Sequence, residues 1–393
     1  MKIKGWILSY TIILMLISSL ILTTMIAVAG FQKKLFSKAF NSYKLELNNI
    51  SGLNYFLSNS IDNFNSQKKF ESDFKIAQKK WGHLKLIRIT SYAGVDSLIK
   101  PVLIGSVPSH NDPIISLDES SHGLKLSGKC ELIGTIEIPK HGIEILNKLY
   151  SPSDINITRA EISHRDTPTN SKNLPSKSYY SAPYENLSFI NNIDSINQHF
   201  SFNRNSSYFY SEQKIELLNN IQGNIIIESN DKIFIDTHSQ LEDLILIAPQ
   251  IEIANNWSGA IQLFTDHLIL GENITFLYPS SISVNTSNEK YSLNFKSSCT
   301  LNGYLNIHGQ KECKITPKIS GEINGYIHSD IPLDFNAKLS GQISCPYFKH
   351  STSSSSYINL IYNATINNDF QQKGIPIPIS FTNSPNEFIK WLD

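Results

Sequence analysis

The sequence predicts a mainly β chain: an N-terminal transmembrane helix with a helical extension, then a β-rich region, then a C-terminal β-helix or solenoid. Three observations carry this expectation. No charged residue occurs between Gly5 and Phe31, and the run from Trp6 to Ala29 is almost wholly apolar. Beyond residue 80 the helical spacing gives way to two-residue alternation. Between Ile221 and Phe348, short aliphatic runs recur between polar or Gly/Asn corners, and strands that short need neighbours above and below to bury a face. These signals divide the chain into an anchor (1–31), a helical extension with a membrane-proximal β region (32–150), a polar linker (151–214), a solenoid (215–350) and a C-terminal cap (351–393).

The apolar run rises about 40 Å as a helix, enough to cross a hydrocarbon core of about 30 Å. Its Ser and Thr residues can bond back to their own helix, and Trp6 and Tyr10 suit the interface at one end. The expected partner of residues 6–29 is therefore the lipid bilayer. A cleaved signal peptide is the rival reading, with Lys2 and Lys4 ahead of the run and Ala27-Val28-Ala29 before Gly30, although the run exceeds the usual length of such a segment. Lys33, Lys34, Lys38 and Lys44 lie beyond the helix, against Lys2 and Lys4 before it, so the charge count leans toward a cytoplasmic body while the start resembles an export signal. The expected location is the inner membrane, single-pass, with the body outside the cytoplasm.

Past the anchor, Leu35, Phe36, Phe40, Tyr43, Leu47 and Ile50 recur at helical spacing, and Ser51-Gly52 interrupts them. This stripe predicts an amphipathic extension that packs on a β domain. Residues 83–92 and 96–107 alternate as strands do, and further strands are expected at 124–126 and 135–138. Residues 151–188, with several prolines and many Ser and Asn, read as an excursion. An aliphatic–polar–Gly unit ends at Gly303, Gly321 and Gly341, at intervals of 18 and 20 residues, with an upstream copy ending at Gly128. Gly at one place in each turn is expected where a corner needs positive φ. The SSSS run, IPIPIS and Trp391 break the coil pattern, which suggests the cap.

Three resemblances follow from these residues. Lys4-Gly5-Trp6-Ile7-Leu8 resembles the start of type IV pilin-like precursors, which implies processing between Gly5 and Trp6 and a role in a secretion or filament system; Tyr10 stands where that pattern has Glu. The repeats over 220–350 resemble the turns of bactofilin-type polymer-forming proteins and other β-helical solenoids. As a whole, the chain resembles uncharacterised, membrane-anchored envelope proteins of bacteroidete bacteria, a likeness that implies no activity.

Composition narrows the function. Lys and Arg total 34 and Asp and Glu 34; without Lys2 and Lys4 the remainder carries about −2. No basic stripe exists to attract nucleic acid. Cys130, Cys299, Cys313 and Cys345 form no C-x-x-C pair, so no zinc site is expected. Cys299 and Cys313 are near enough in sequence for a disulfide in an oxidising compartment; the alternative is four small buried residues. His164-Arg165-Asp166 copies a kinase tripeptide without its following residues. Asp266-His267 with Glu272 could act as an acid/base group, and Asp330 with Asp334 could bind a cation, but neither has supporting spacing. Trp257, Tyr278 and Tyr304 could line a glycan groove. No catalytic residue, cofactor or metal ligand is expected. The leading expectation is a non-enzymatic, membrane-anchored envelope scaffold or assembly component that binds other envelope proteins or itself; the alternatives are a pilin-like minor component and a glycan-binding β-helix.

Overall fold

The computed structural model describes residues 4–58, 73–106, 112–117, 122–138, 141–146, 154–158, 162–164, 187–189, 198–286, 293–309, 316–352, 354–368 and 386–392. Among the described residues one helix, α1 (Lys4–Ser58), precedes strands. The chain divides into two units, Met1–Ala77 with Arg88–Lys100 and Gln78–Ile87 with Pro101–Asp393.

In the first unit, α1 continues without a break through Ser51-Gly52. Gly52 is needed there for closeness. A Cβ on it would stand 2.8 Å from Ile89 and 3.2 Å from Phe74, so only a bare backbone lets the helix approach these strand residues. The helix buries Leu45, Asn49, Leu53 and Phe56. Asn49 Nδ2 donates to Ser91 Oγ at 3.0 Å, and Ser91 Oγ donates to the Leu45 carbonyl at 2.9 Å. The expected stripe is therefore corrected: Phe36, Phe40, Tyr43, Leu47 and Ile50 face solvent, and a different face of the same helix packs. Asn49 carries that face because Ser91 satisfies its amide, a compensation that apolar spacing does not reveal.

The second unit is a β-solenoid of about nine turns. Its decisive feature is in-register parallel stacking. Ile227 pairs in succession with Leu246, Leu263, Ile282, Leu305, Ile327, Ile343, Ile115 and Ile136, one residue from each coil. Every one of these side chains is buried, within one continuous core. Each buried Leu or Ile contributes about 1.5–3 kcal/mol, so columns of aliphatics stabilise coils that would not hold singly.

The boundaries differ from those expected. Strand Thr365–Asn367 is no part of a cap: it pairs with Lys338–Ser340 on one side and Glu131–Ile133 on the other. Ile115–Leu117 completes the same level by pairing with Ile343–Cys345. The coil between 338–345 and 129–138 is thus composite, built from segments about 250 residues apart in sequence. Strands within 115–145, expected as part of a separate membrane-proximal region, belong to the terminal coils of the solenoid. The expected linker supplies Asp154–Thr158 at that end and Ser207–Ser211 at the other. Asn386–Trp391 pairs antiparallel with Val102–Ser106. Trp81, Leu84, Leu86, Leu103, Ile389 and Leu392 form a second apolar cluster with Ile226, Ile245, Ile247 and Phe264, so outward residues of these coils are also covered.

Candidate functional site

Three glycines of the solenoid lie within the strands Thr300–His308, Glu322–Ser329 and Lys338–Cys345. Gly303, Gly325 and Gly341 stand in register, with φ of 152°, 154° and 146°. A Cβ on Gly325 would fall on the Gly303 carbonyl oxygen and 2.8 Å from its carbon; Gly341 meets Gly325 in the same way. The column thus needs glycine for positive φ and for coil-to-coil approach at once. Gly321 lies outside this column: the residue equivalent to Gly303 is Gly325, ending Ile323-Asn324-Gly325. Ile319-Ser320-Gly321 resembles the unit but precedes the strand Glu322–Ser329. Gly128 (φ 74°) is a corner residue of another kind, with Lys129 N donating to Asn363 Oδ1 at 2.8 Å.

Immediately along these strands is a concentration of ionisable side chains. Asn306 pairs with His328 and His308 ends its strand, which sets two imidazoles on successive coils beside Asp330. Asn306 Nδ2 donates to His308 Nε2 at 2.6 Å, so the neutral ring carries its proton on Nδ1, which donates to Asp330 Oδ2 at 2.8 Å. His328 Nε2 donates to Asp330 Oδ1 at 3.2 Å. Burial alone would raise the Asp330 carboxyl, but the hydrogen bonds and nearby rings of His308 and His328 outweigh it and hold the carboxyl well below the usual range. The arrangement clamps a carboxylate between coils, and the neighbouring Ser329 Oγ donates to the Ile331 carbonyl at 2.7 Å. His83 lies nearby, stacked on Phe264 at 4.9 Å and edge-on to Tyr304 at 5.2 Å. Desolvation, reinforced by His308 and Lys80, lowers its pKa to about 3.

The remaining sequence candidates do not converge. Asp334 accepts from His350 Nδ1 at 2.9 Å, so it and Asp330 serve different histidines. Glu272 accepts from Lys296 and Ser298. His267 N donates to Thr265 Oγ1 within its own corner. Trp257 is buried with Nε1 donating to the Ser239 carbonyl, and Tyr304 is buried too, so neither can stack on a glycan. Cys130, Cys299 and Cys345 are buried, while Cys313, Arg165 and Asp166 lie outside the described residues. Among the described residues, no group of three His, Cys, Asp or Glu is placed to hold a metal ion.

Comparison with known proteins yields no match to a protein family, a curated protein or a solved structure.

The candidate site that does stand is α1. Gly5 lies within its first turn and Trp6 is 82% exposed. Every side chain from Trp6 to Phe40 is exposed. The helix is long and apolar enough to cross a membrane, and its apolar window is wholly unburied. Ser18 Oγ donates to the Leu14 carbonyl at 2.6 Å and Thr23 Oγ1 to the Ser19 carbonyl at 2.7 Å, so these hydroxyls need no water. The apolar helix and the β-solenoid together fit a membrane-anchored solenoid protein.

Proposed function

We propose that this chain is a non-enzymatic, single-pass scaffold or assembly component of the cell envelope, anchored through residues 6–29 and acting through its β-solenoid. The observation that supports it is the helix, whose unburied apolar side chains match the lipid core in length and chemistry. The solenoid suits a scaffold because its parallel columns make a stiff body from short sequence units. Its body lies outside the cytoplasm in this reading. Membrane fractions washed with alkaline carbonate should retain the full chain, and a chain lacking residues 1–31 should be soluble. Recovery of the full chain in the wash would overturn the anchor. Protease shaving of spheroplasts tests the side, with digestion of the body expected.

The Lys4-Gly5-Trp6 start supports one second reading, a pilin-like minor component. Intact-mass measurement separates the three fates of this segment: Met1 retained marks an anchor, a start at Trp6 marks pilin-like processing, and a start at Gly30 marks a cleaved signal.

A further inference from the structure

The exposed stripe on α1 has the geometry of a helix–helix seam. Phe36, Phe40, Tyr43, Leu47 and Ile50 follow one another by four, three, four and three residues, the 3.5-residue repeat of a left-handed coiled coil. At 100° per residue they fall within about 40° of one line along the helix. Leu45, Asn49 and Phe56, which pack within the first unit, lie on the opposite side and Leu53 about 100° from the line, so among the described residues the seam is unused by its own unit. The five side chains are 74, 58, 62, 44 and 49% exposed.

We infer that this seam binds the same seam of a second copy, forming a parallel helix pair just outside the bilayer; the inference rests on residues 6–29 being the anchor. Three features select that occupant. The anchor brings copies out of the membrane side by side, in the same direction and at the same height, so each seam residue meets its own counterpart. Ala39 and Ser51, about 60° to either side of the seam line, are small and uncharged and allow close approach. Three aromatic and two aliphatic side chains per helix bury on the order of 1,000 Å² in a pair, the lower bound of a specific interface. Lipid is the poorer occupant, because Lys34, Lys38 and Lys44 stand on the same turns of the helix as the stripe, and Lys44 pairs with Asp73 at 3.1 Å. The seam covers only about two heptads, fewer than the three or four that mark a free-standing coiled coil. Confinement in one membrane supplies the missing effective concentration.

The test is oxidative cross-linking of the full chain in its own membranes, with the wild type as background. Tyr43→Cys and Leu47→Cys should give at least five-fold more disulfide dimer than Lys38→Cys and Ser42→Cys, which are exposed but off the seam. Adding Phe40→Asp to Leu47→Cys should remove at least four-fifths of that dimer. Equal yields at all four positions, no dimer at the seam, or dimer that survives Phe40→Asp would overturn the seam. Carbonate washing of the same membranes reads the anchor separately: a washed-out chain refutes the anchoring, while the cross-linking pattern still judges the seam.

Discussion

Replacing Gly325 by Ala tests the glycine column directly. Two costs add at this position. A non-glycine residue at φ 154° is strained by about 1–3 kcal/mol. Its Cβ would also collide with the Gly303 carbonyl, 2.8 Å from the carbon, and relieving that means parting two coils that are paired from Thr300–Glu322 to Ile307–Ser329. Overpacking of this kind costs about 1–3 kcal/mol more, giving a total near 4 kcal/mol. Gly142 is the control: it has φ 72° with nothing within 4 Å of where a Cβ would sit, so Gly142→Ala carries the backbone term alone, about 1 kcal/mol. At roughly 2 °C per kcal/mol for a large domain, the expected fall in Tm is about 8 °C for Gly325→Ala and about 2 °C for Gly142→Ala. Intrinsic fluorescence is a suitable probe, since Trp81 and Trp257 are buried in this unit. Scans at one heating rate keep the comparison fair. If Gly325→Ala melts no lower than Gly142→Ala, coil-to-coil contact is not what demands glycine, and the reasoning fails.

Three further outcomes are expected. His83 has a folded pKa of about 3 against 6.5 for the free side chain, so the unfolded chain takes up a proton that the folded one refuses; stability should fall by about 1.4 kcal/mol per pH unit between pH 6.5 and 3, and His83→Phe should flatten urea midpoints measured between pH 6 and 5. Asp330 is depressed instead, so its stabilisation is present above its unfolded pKa of about 3.9 and lost as pH falls through its lower folded value; Asp330→Asn should lose stability at pH 7 and show a shallower acid transition below pH 4. Ile366 is fully buried between Leu339 and Leu132, so Ile366→Ala should cost about 2–5 kcal/mol in urea unfolding, and ending the chain at residue 355 should open 124–138 to limited proteolysis. An unchanged digestion pattern in the shortened chain would show that the C-terminal strand is not needed there.

What the sequence made legible, and what it hid, follows from the range of each interaction. The helix is written in contiguous residues, so its apolar run is plain, and the solenoid shows through local runs such as Ile225-Ile226-Ile227. The seating of Thr365–Asn367 depends on partners at 131–133 and 338–340 and leaves no local trace. Ile319-Ser320-Gly321 drew the repeat off its phase because Ile323-Asn324-Gly325 follows within the same few residues, and only register tells them apart. His308, His328 and Asp330 look scattered in sequence because a coil's length, 22 residues between the partners His308 and Asp330, is what unites them. The helix face was misjudged for another reason: hydrophobicity marks what avoids water, and a stripe meant for lipid or for another helix looks the same as one meant for the chain's own core.

The composite coil also orders events in time. A ribosome makes residues 115–138 early, yet the surface on which they stack, 338–345 with Thr365–Asn367, is made more than 200 residues later. Coils from 198 onward can settle on one another as they emerge, each on the one before it. The early segment must wait with its aliphatic residues unshielded until the last strand arrives. Closing so large a loop slows the final step, and a holdase that covers 115–138 during synthesis would act at the point where this chain is most prone to stray pairing.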